Sequence, residues 1–245
     1  MSSRAPVTAH QLARALKLVD DVRAHPRGSV AQRTCFLTGL NELVGAQVGI
    51  WADVAGMTSG AIVLRDALDL GWHGPREREV FRAYLQAQTD PPDPTLVRLL
   101  AIPDETYARA RHELLDDRAW YRSPHVQDYR KAAGVNHFIL AAWRRGDHAQ
   151  ALSIHRPWGD RAFTERERTL VDVVYRHAAH LLATPVGLSP RQRDVLAALC
   201  RGLSEKEIAS ELGLSAHTVH GHVKDLHRRF GARSRGELLA RALRT

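Results

Sequence analysis

The chain has little cysteine. Cys35 and Cys200 are the two cysteines among its 245 residues, and they stand far apart in apolar, helix-like surroundings. Two such thiols match neither the cysteine frameworks of small secreted domains nor the paired spacings of zinc sites. We therefore expect no disulfide and no metal centre, and we predict that both thiols serve as small buried hydrophobes.

Long apolar runs are missing too. The early stretch 8–22 is interrupted by Arg14, Lys17 and Asp20, which does not fit a secretory signal peptide. No apolar run approaches the ~18 residues that a membrane span needs. The sequence therefore predicts a soluble, cytoplasmic protein with no membrane partner.

Motifs that carry enzyme chemistry are also absent. There is no Gly-rich phosphate loop, no GxSxG and no HExxH. His177 and His180 are spaced as metal ligands can be, but no third ligand accompanies them. The aspartates and the late lysine of a phosphorylation receiver are not recognisable either. We expect no enzyme activity, no cofactor and no metal.

The C-terminal stretch 188–245, in contrast, carries strong local signals for four short helices. A serine able to cap a helix stands at the start of each: Ser189, Ser204, Ser215 and Ser234. All but Ser215 are followed three residues later by Gln or Glu, which completes a capping box. Glycines suited to left-handed helix ends follow the first three helices: Gly202, Gly213 and Gly231. Two short helices joined by a tight turn at Gly213 form the helix-turn-helix pattern.

The third helix of this stretch has two different sides. Val219, Val223, Leu226 and Phe230 recur at steps of four, three and four, so they share one side, which we predict to be buried. At about 100° per residue, the opposite side is polar to basic; it carries His217, His220, Gly221, Lys224 and Arg228. Such a helix can enter the DNA major groove, although an ordinary solvated face is the alternative.

The same stretch resembles the LuxR-type DNA-binding domain, in the segments 188–196, 202–209 and 212–215 and on to 235. The resemblance implies an all-α four-helix fold in which the helix from Ser215 reads DNA and the last helix often dimerises. It implies base contacts from His220, Gly221 and Lys224, and DNA-backbone contacts from Lys206, Thr218 and His222. We add Ser215, His217 and Arg228 to the predicted interface. For dimerisation we predict the apolar side of the last helix, with Leu238, Leu239 and Ala242.

Three residues depart from the family pattern. Gln192 and His220 stand where the family usually has glutamate and a lysine or arginine. Histidine is mostly uncharged at neutral pH, so contact with phosphate or guanine should be weaker there. Gly221 costs roughly 1 kcal/mol relative to alanine inside a helix, and it either allows close approach to DNA or is simply tolerated.

Charge is concentrated in the same stretch. Residues 188–245 hold 11 Lys and Arg against 6 Asp and Glu, a net +5 within the chain's +8, which leaves +3 for the first 187 residues. A basic tail is suited to phosphate attachment.

The first part of the chain is predicted to be a separate α+β domain, 1–183, joined by a short linker, 184–187, to the domain 188–245. Hydrophobic periodicity and capping signals place helices at 8–24, 30–44, 75–87, 123–133 and 164–182. Strands are expected at 47–51, 61–64, 137–143 and 149–155, the last two as a hairpin, and a loop at 89–94. This pattern of sheet and flanking helices is that of an α+β layer fold.

Part of this first domain resembles the GAF-like, PAS-like sensory domains of LuxR-type regulators, over about 60 residues from Trp120 to the last helix. The resemblance implies that the domain binds a small molecule or a partner. Fourteen of the 15 aromatic residues precede Leu188, as they would in an aromatic-lined cleft or in an ordinary core. Our pocket prediction is Trp120 and Tyr121.

We therefore predict a regulator whose sensory domain controls a DNA-binding domain. The expected partners are double-stranded DNA, a second copy of the chain, a small-molecule ligand and RNA polymerase, on the bacterial nucleoid. Two alternatives stay open. In the first alternative, the N-terminal domain serves only dimerisation or contact with another protein. In the second, the helix-turn-helix no longer binds DNA.

Overall fold

The computed structural model describes residues 7–60, 62–86, 93–182 and 188–244; of residues 84–86, 229, 243 and 244 only the backbone is described. The predicted linker 184–187 and most of the predicted loop 89–94 lie outside these ranges. The first part of the chain contains seven helices in these ranges: α1 (Ala9–Arg23), α2 (Val30–Val44), α3 (Pro75–Gln86), α4 (Leu96–Leu100), α5 (Arg111–Leu114), α6 (Asp117–Arg122) and α7 (Glu165–Leu182). A π-helical turn, Val126–Arg130, follows α6.

The centre of the N-terminal domain is a five-stranded antiparallel sheet. Its strands are β1 (Val48–Ala55), β2 (Val63–Leu70), β3 (Thr106–Ala110), β4 (Val135–Arg145) and β5 (His148–Pro157). Their order is β2-β1-β5-β4-β3. The last strand, β5, therefore lies in the middle of the sheet, between β1 and β4. Alternate residues point to opposite faces, and helices cover both.

One face of the sheet packs against α1, α2 and α7. Trp51 and Ile154 point from the sheet into this layer and meet Phe36, Leu40 and Tyr175, all fully buried. The apolar stripes of the helices recur at helical spacing, which is why they cover this face. This layer is the largest core of the protein.

The opposite face packs against α3–α6 and the π-helical turn, and an ion pair is buried within it. Arg130 Nη2 donates to Asp93 Oδ2 at 2.6 Å, with the guanidinium 5.1 Å from the Phe138 ring centroid. Burial alone would raise the pKa of Asp93, but the charge of Arg130 and the Thr95 hydroxyl hold this pKa far below its ordinary value. Burial also holds the pKa of His155 well below its ordinary value. Charged and aromatic side chains therefore fill this layer.

Most sequence-based predictions for this domain are confirmed. The helices predicted at 8–24, 30–44, 75–87 and 164–182 correspond to α1, α2, α3 and α7, and the predicted hairpin is β4–β5 with Gly146 in its turn. The Thr164 capping box is present: Glu167 accepts from the Thr164 amide at 2.8 Å, and the Thr164 hydroxyl accepts from the Glu167 amide at 3.3 Å.

Other predictions for this domain are wrong or incomplete. Ser123 does not cap a helix running to 133; it ends α6, and the chain continues as a π-helical turn. The strands predicted at 47–51 and 61–64 are longer, reaching Ala55 and Leu70. Strand β3 and the short helices α4–α6 were not predicted, because four to six residues are too few to show a period.

The C-terminal domain consists of α8 (Pro190–Cys200), α9 (Glu205–Leu212), α10 (Ala216–Phe230) and α11 (Arg235–Arg244). They enclose their own core, whose fully buried members are Val195, Ala198, Ile208, Val219, Leu226 and Leu238. The predicted four-helix, all-α domain is confirmed.

The predicted caps of these helices are mostly confirmed. Both hydrogen bonds of the capping box are present at Ser189 and Ser204, and Ser215 accepts from the Thr218 amide at 3.0 Å. Ser234 forms half of its box. Its hydroxyl accepts from the Glu237 amide, but the Glu237 carboxylate takes the amide of Arg233 instead.

The two cysteines differ in their surroundings. Cys35 is half-buried against the main core, whereas Cys200 is exposed at the last residue of α8. The prediction that both are buried is therefore wrong for Cys200, because the end of α8 faces solvent there. Across the described ranges, no three His, Cys, Asp or Glu side chains are grouped to hold a metal. None of the helices described combines the length and apolar character of a membrane span.

Candidate nucleic-acid interface

The helix-turn-helix is formed by α9, a tight turn and α10. Gly213 ends α9 in the left-handed conformation, with φ of 63°, a region that side chains rarely enter. Two residues later, the Ser215 hydroxyl caps α10. At the start of α9, hydrogen bonds from the Ser204 amide and hydroxyl lower the pKa of the Glu207 carboxyl. Local capping therefore fixes where α9 ends and where α10 begins.

One side of α10 anchors it to the rest of the domain. Val219 and Leu226 are fully buried, Val223 nearly so, and Phe230 is half-buried against the same core. The predicted buried side of this helix is confirmed.

The other side of α10 is open to solvent. The exposed residues of the predicted interface are Lys206, Ser215, His217, Thr218, His220, Gly221, Lys224 and Arg228, while His222 is half-buried. All except Lys206 and Ser215 lie on α10; Ser215 caps it and Lys206 is in the first turn of α9. The fold thus brings the predicted residues together at one surface, which we call the α10 surface.

The cations of the α10 surface differ in their availability. Arg228 Nη2 lies 2.5 Å from Asp225, an exposed pair one turn apart. His220 Nδ1 lies 3.2 Å from Glu205 on α9, a contact that sequence reasoning missed because it joins two helices. In the described part of the chain, Lys206 and Lys224 have no carboxylate partner. These two ammonium groups therefore face solvent with no carboxylate beside them among the described residues.

Gly221 lies in the middle of this surface. A Cβ atom built at this position would meet no heavy atom within 4 Å. The packing of the domain therefore does not require glycine there.

Comparison with known proteins identifies the family of the C-terminal domain. Residues 186–242 match the family model of the bacterial regulatory proteins of the luxR family. The C-terminal domain is a LuxR-family domain. The probable transcriptional regulatory protein SgaR of Hyphomicrobium methylovorum is 32% identical over 95 residues, 34% of this chain and 45% of that protein. The chain spans less than half the length of the curated relatives it matches.

Solved structures resemble this chain only distantly. CepR2 of Burkholderia cenocepacia, described as an N-acylhomoserine lactone dependent LuxR family transcription factor, matches 71% of this chain and 96% of its own at 12% identity, with a TM-score of 0.48. The GAF domain of a phosphoenolpyruvate-protein phosphotransferase from Coxiella burnetii matches 70% and 92% at 13% identity, with a TM-score of 0.40. The α+β fold of the N-terminal domain is established by its own five-stranded sheet and flanking helices.

The apolar residues predicted for dimerisation are largely used inside the LuxR-type domain itself. Leu238 is fully buried and Ala242 nearly so, both in the core formed with α8 and α10, and Leu239 is half-buried against it. Dimerisation through α11 stays a prediction, and it would have to use the exposed residues of that helix.

The predicted pocket residues lie in two environments. Trp120 is fully buried, and its Nε1 donates to Asn136 Oδ1 at 3.0 Å. Tyr121 is partly exposed; its hydroxyl accepts from Asn136 Nδ2 at 2.8 Å, and its ring meets Trp158. Asn136 therefore links the two side chains, with Trp120 in the core and Tyr121 at the surface.

Proposed function

We propose that this protein is a sequence-specific DNA-binding transcriptional regulator. The observation that carries the proposal is the α10 surface: a capped, well-anchored helix whose open side holds Lys224, with the exposed Lys206 in the first turn of α9. A helix placed in this way enters the major groove with its N-terminal half at base edges. Positive charge on its flanks replaces counterions at the phosphates.

Within this surface we assign two kinds of contact. His220, Gly221 and Lys224 approach base edges, while Lys206, Thr218 and His222 contact the DNA backbone. Ser215, His217 and Arg228 form the margin, and Arg228 exchanges its bond with Asp225 for a phosphate. Little is lost in that exchange, because an exposed ion pair contributes only about 0–1 kcal/mol.

Selection from a random duplex library with the full-length protein tests the proposal. Affinity for the selected duplex should fall linearly with salt on logarithmic axes. Lys224→Ala should weaken binding by about 1–3 kcal/mol. Arg191→Ala, an exposed residue of α8 outside the α10 surface, should change the affinity less than twofold. If no duplex binds in a salt-dependent manner, the DNA-binding proposal fails and a protein-interaction role gains support.

For the N-terminal domain we propose that it senses a small molecule or partner and controls the LuxR-type domain. Support comes from helix α7, which runs from the sheet layer towards the domain boundary, and from the Trp120–Asn136–Tyr121 chain that reaches the surface. Thermal-shift screening of the full chain with metabolite and lipid libraries tests this; a binder should raise the melting temperature, and Tyr121→Ala should reduce that rise.

A ligand-independent role in dimerisation is the second candidate for this domain. It is favoured by exposed leucines on α1, Leu12 and Leu16, which are 50% and 59% exposed. Sedimentation of Leu16→Glu against the wild type tests it, since loss of the dimer is expected. We place the protein in the bacterial cytoplasm on the nucleoid, with RNA polymerase as a further partner.

A further inference from the structure

One side chain of the LuxR-type domain is inserted into the N-terminal domain. Arg193, in the first turn of α8, has a side chain only 2% exposed. Its Nη1 lies 3.2 Å from Oδ2 of Asp53 on β1, and its Nη2 bonds Asp66 on β2. Asp53 and Asp66 are directly paired across the β1–β2 ladder. A guanidinium of one domain thus bridges two neighbouring strands of the other.

A second arginine completes the site from the N-terminal side. Arg33 of α2 is 1% exposed, and its Nη1 lies 2.8 Å from Asp66 Oδ2 and 3.8 Å from Asp53 Oδ2. The pKa of Asp66 is lowered, because bonds from Arg33 and Arg193 outweigh the opposing effect of burial. We call Arg33, Asp53, Asp66 and Arg193 the interdomain ion cluster.

Docking brings a second guanidinium to these carboxylates. Arg33 and Arg193 both bond Asp66, whose side chain is 14% exposed, and the half-buried Asp194 adds a further carboxylate beside Arg193. Without Arg193, Asp66 loses one of its two arginine partners in a largely desolvated place, which is unfavourable. The N-terminal domain is therefore built to receive an arginine from α8.

Docking leaves the DNA-binding side free. Arg193 lies on α8, whereas Lys224 and the other residues of the α10 surface, except the half-buried His222, are exposed in the docked arrangement. The LuxR-type domain does not have to leave the sheet to present α10 to DNA.

We infer that the interdomain ion cluster fixes the LuxR-type domain in a DNA-competent orientation, with Arg193 as the positioning residue that carries the state of the β1–β2 edge to the DNA-binding helices. The DNA part of this inference rests on the proposed function; the docking does not. In a dimer, a fixed orientation keeps two recognition helices at one spacing. Binding to the second half-site then gains effective concentration.

Docking is tested by calorimetry and small-angle X-ray scattering on the full chain. Arg193→Met keeps the apolar stem but removes the guanidinium. We expect one unfolding transition in the wild type, two in the variant, and a larger radius of gyration. Asp53→Asn with Asp66→Asn should give the same result from the other domain. Arg191→Met, exposed on the same helix, is the matched control. An unchanged profile in both cluster variants would overturn the docking.

The effect on DNA is tested with two duplexes: the one selected by the wild-type protein, and the same duplex with one half-site scrambled. Arg193→Met should lose roughly tenfold in affinity for the first and stay within twofold on the second. Tighter binding to the first, or equal losses on both, would overturn the inference. If the wild type binds no duplex, the proposed function fails while calorimetry still decides the docking.

Discussion

At the scale of single residues, Gly221 is the most informative position of the α10 surface. Its Cβ would meet nothing within 4 Å, so no neighbour in the protein excludes a side chain. Glycine nevertheless costs the helix roughly 1 kcal/mol relative to alanine. Close approach of the helix backbone to a DNA groove would account for keeping it.

Gly221→Ala should therefore separate stability from binding. We expect the free energy of unfolding in urea to rise by about 0.5–1 kcal/mol, because alanine favours the helix. Affinity for the selected duplex should fall, because the methyl group meets DNA. Gly236→Ala in α11, equally open around its Cβ, is the control and should leave DNA affinity unchanged. Unchanged or tighter binding by Gly221→Ala would show that glycine is merely tolerated.

At the scale of elements, the helix-turn-helix depends on caps at the start of its helices. Ser204→Ala should lower the free energy of unfolding by about 1 kcal/mol, since the Glu207 amide loses its acceptor. Ser210→Ala, on the exposed side of the same helix, should have an effect within about 0.5 kcal/mol. Urea denaturation of the full chain measures both. Equal effects of the two substitutions would argue against a capping role.

The carboxylate of Glu167, in the first turn of α7, accepts hydrogen bonds from several partners. Glu167 accepts from the Thr164 amide and from Arg156 and Arg161, at 2.8, 2.9 and 2.7 Å. Burial alone would raise its pKa, but hydrogen bonds from Arg161, Thr164 and Arg156 lower the pKa to about 2. The carboxylate is thus held ionised where α7 meets β5.

The depressed pKa makes this contribution to stability dependent on pH. It is fully present above the unfolded-state pKa, near 4.5, and is lost as pH falls towards 2. Glu167→Gln should lower stability at pH 7 by about 2 kcal/mol, a value discounted for partial solvent screening. The variant should also show a shallower loss of stability between about pH 5 and pH 2. Urea titrations at several pH values measure this, and parallel curves for variant and wild type would contradict it.

How far the sequence predicted each element depended on how local its cause is. The caps at Ser189, Ser204 and Ser215 act within three residues, so the helices of the LuxR-type domain were predictable, and so was the open side of α10. Strand β3 and helices α4–α6 were not, because they are short and held by tertiary packing. The role of Arg193 could not be predicted from the sequence, because its partners lie more than 120 residues away.

At the scale of the whole molecule, Arg33 supports both the N-terminal domain and the docking site. Arg33→Met should lower the free energy of unfolding by roughly 3 kcal/mol, because the largely buried Asp66 then loses one of its two arginine partners. Arg176→Met, which removes an exposed ion pair with Asp172, should cost less than about 1 kcal/mol. Urea denaturation at pH 7 compares the two. Equal losses of unfolding free energy in the two variants would mean that burial of the cluster does not increase its contribution to stability.

The position of β5 between β1 and β4 has a consequence for the protein during its synthesis. The β1–β2 hairpin ends at Leu70, and β5, which must pair with it, begins 78 residues later at His148. Until then β1 presents an open edge, and strand edges are where nascent chains aggregate. Asp53 and Asp66 place two negative charges on that hairpin, and Arg193, which lies more than 120 residues further along the chain, has not yet been made. We expect the carboxylates that later bind Arg193 also to discourage aggregation of the growing chain.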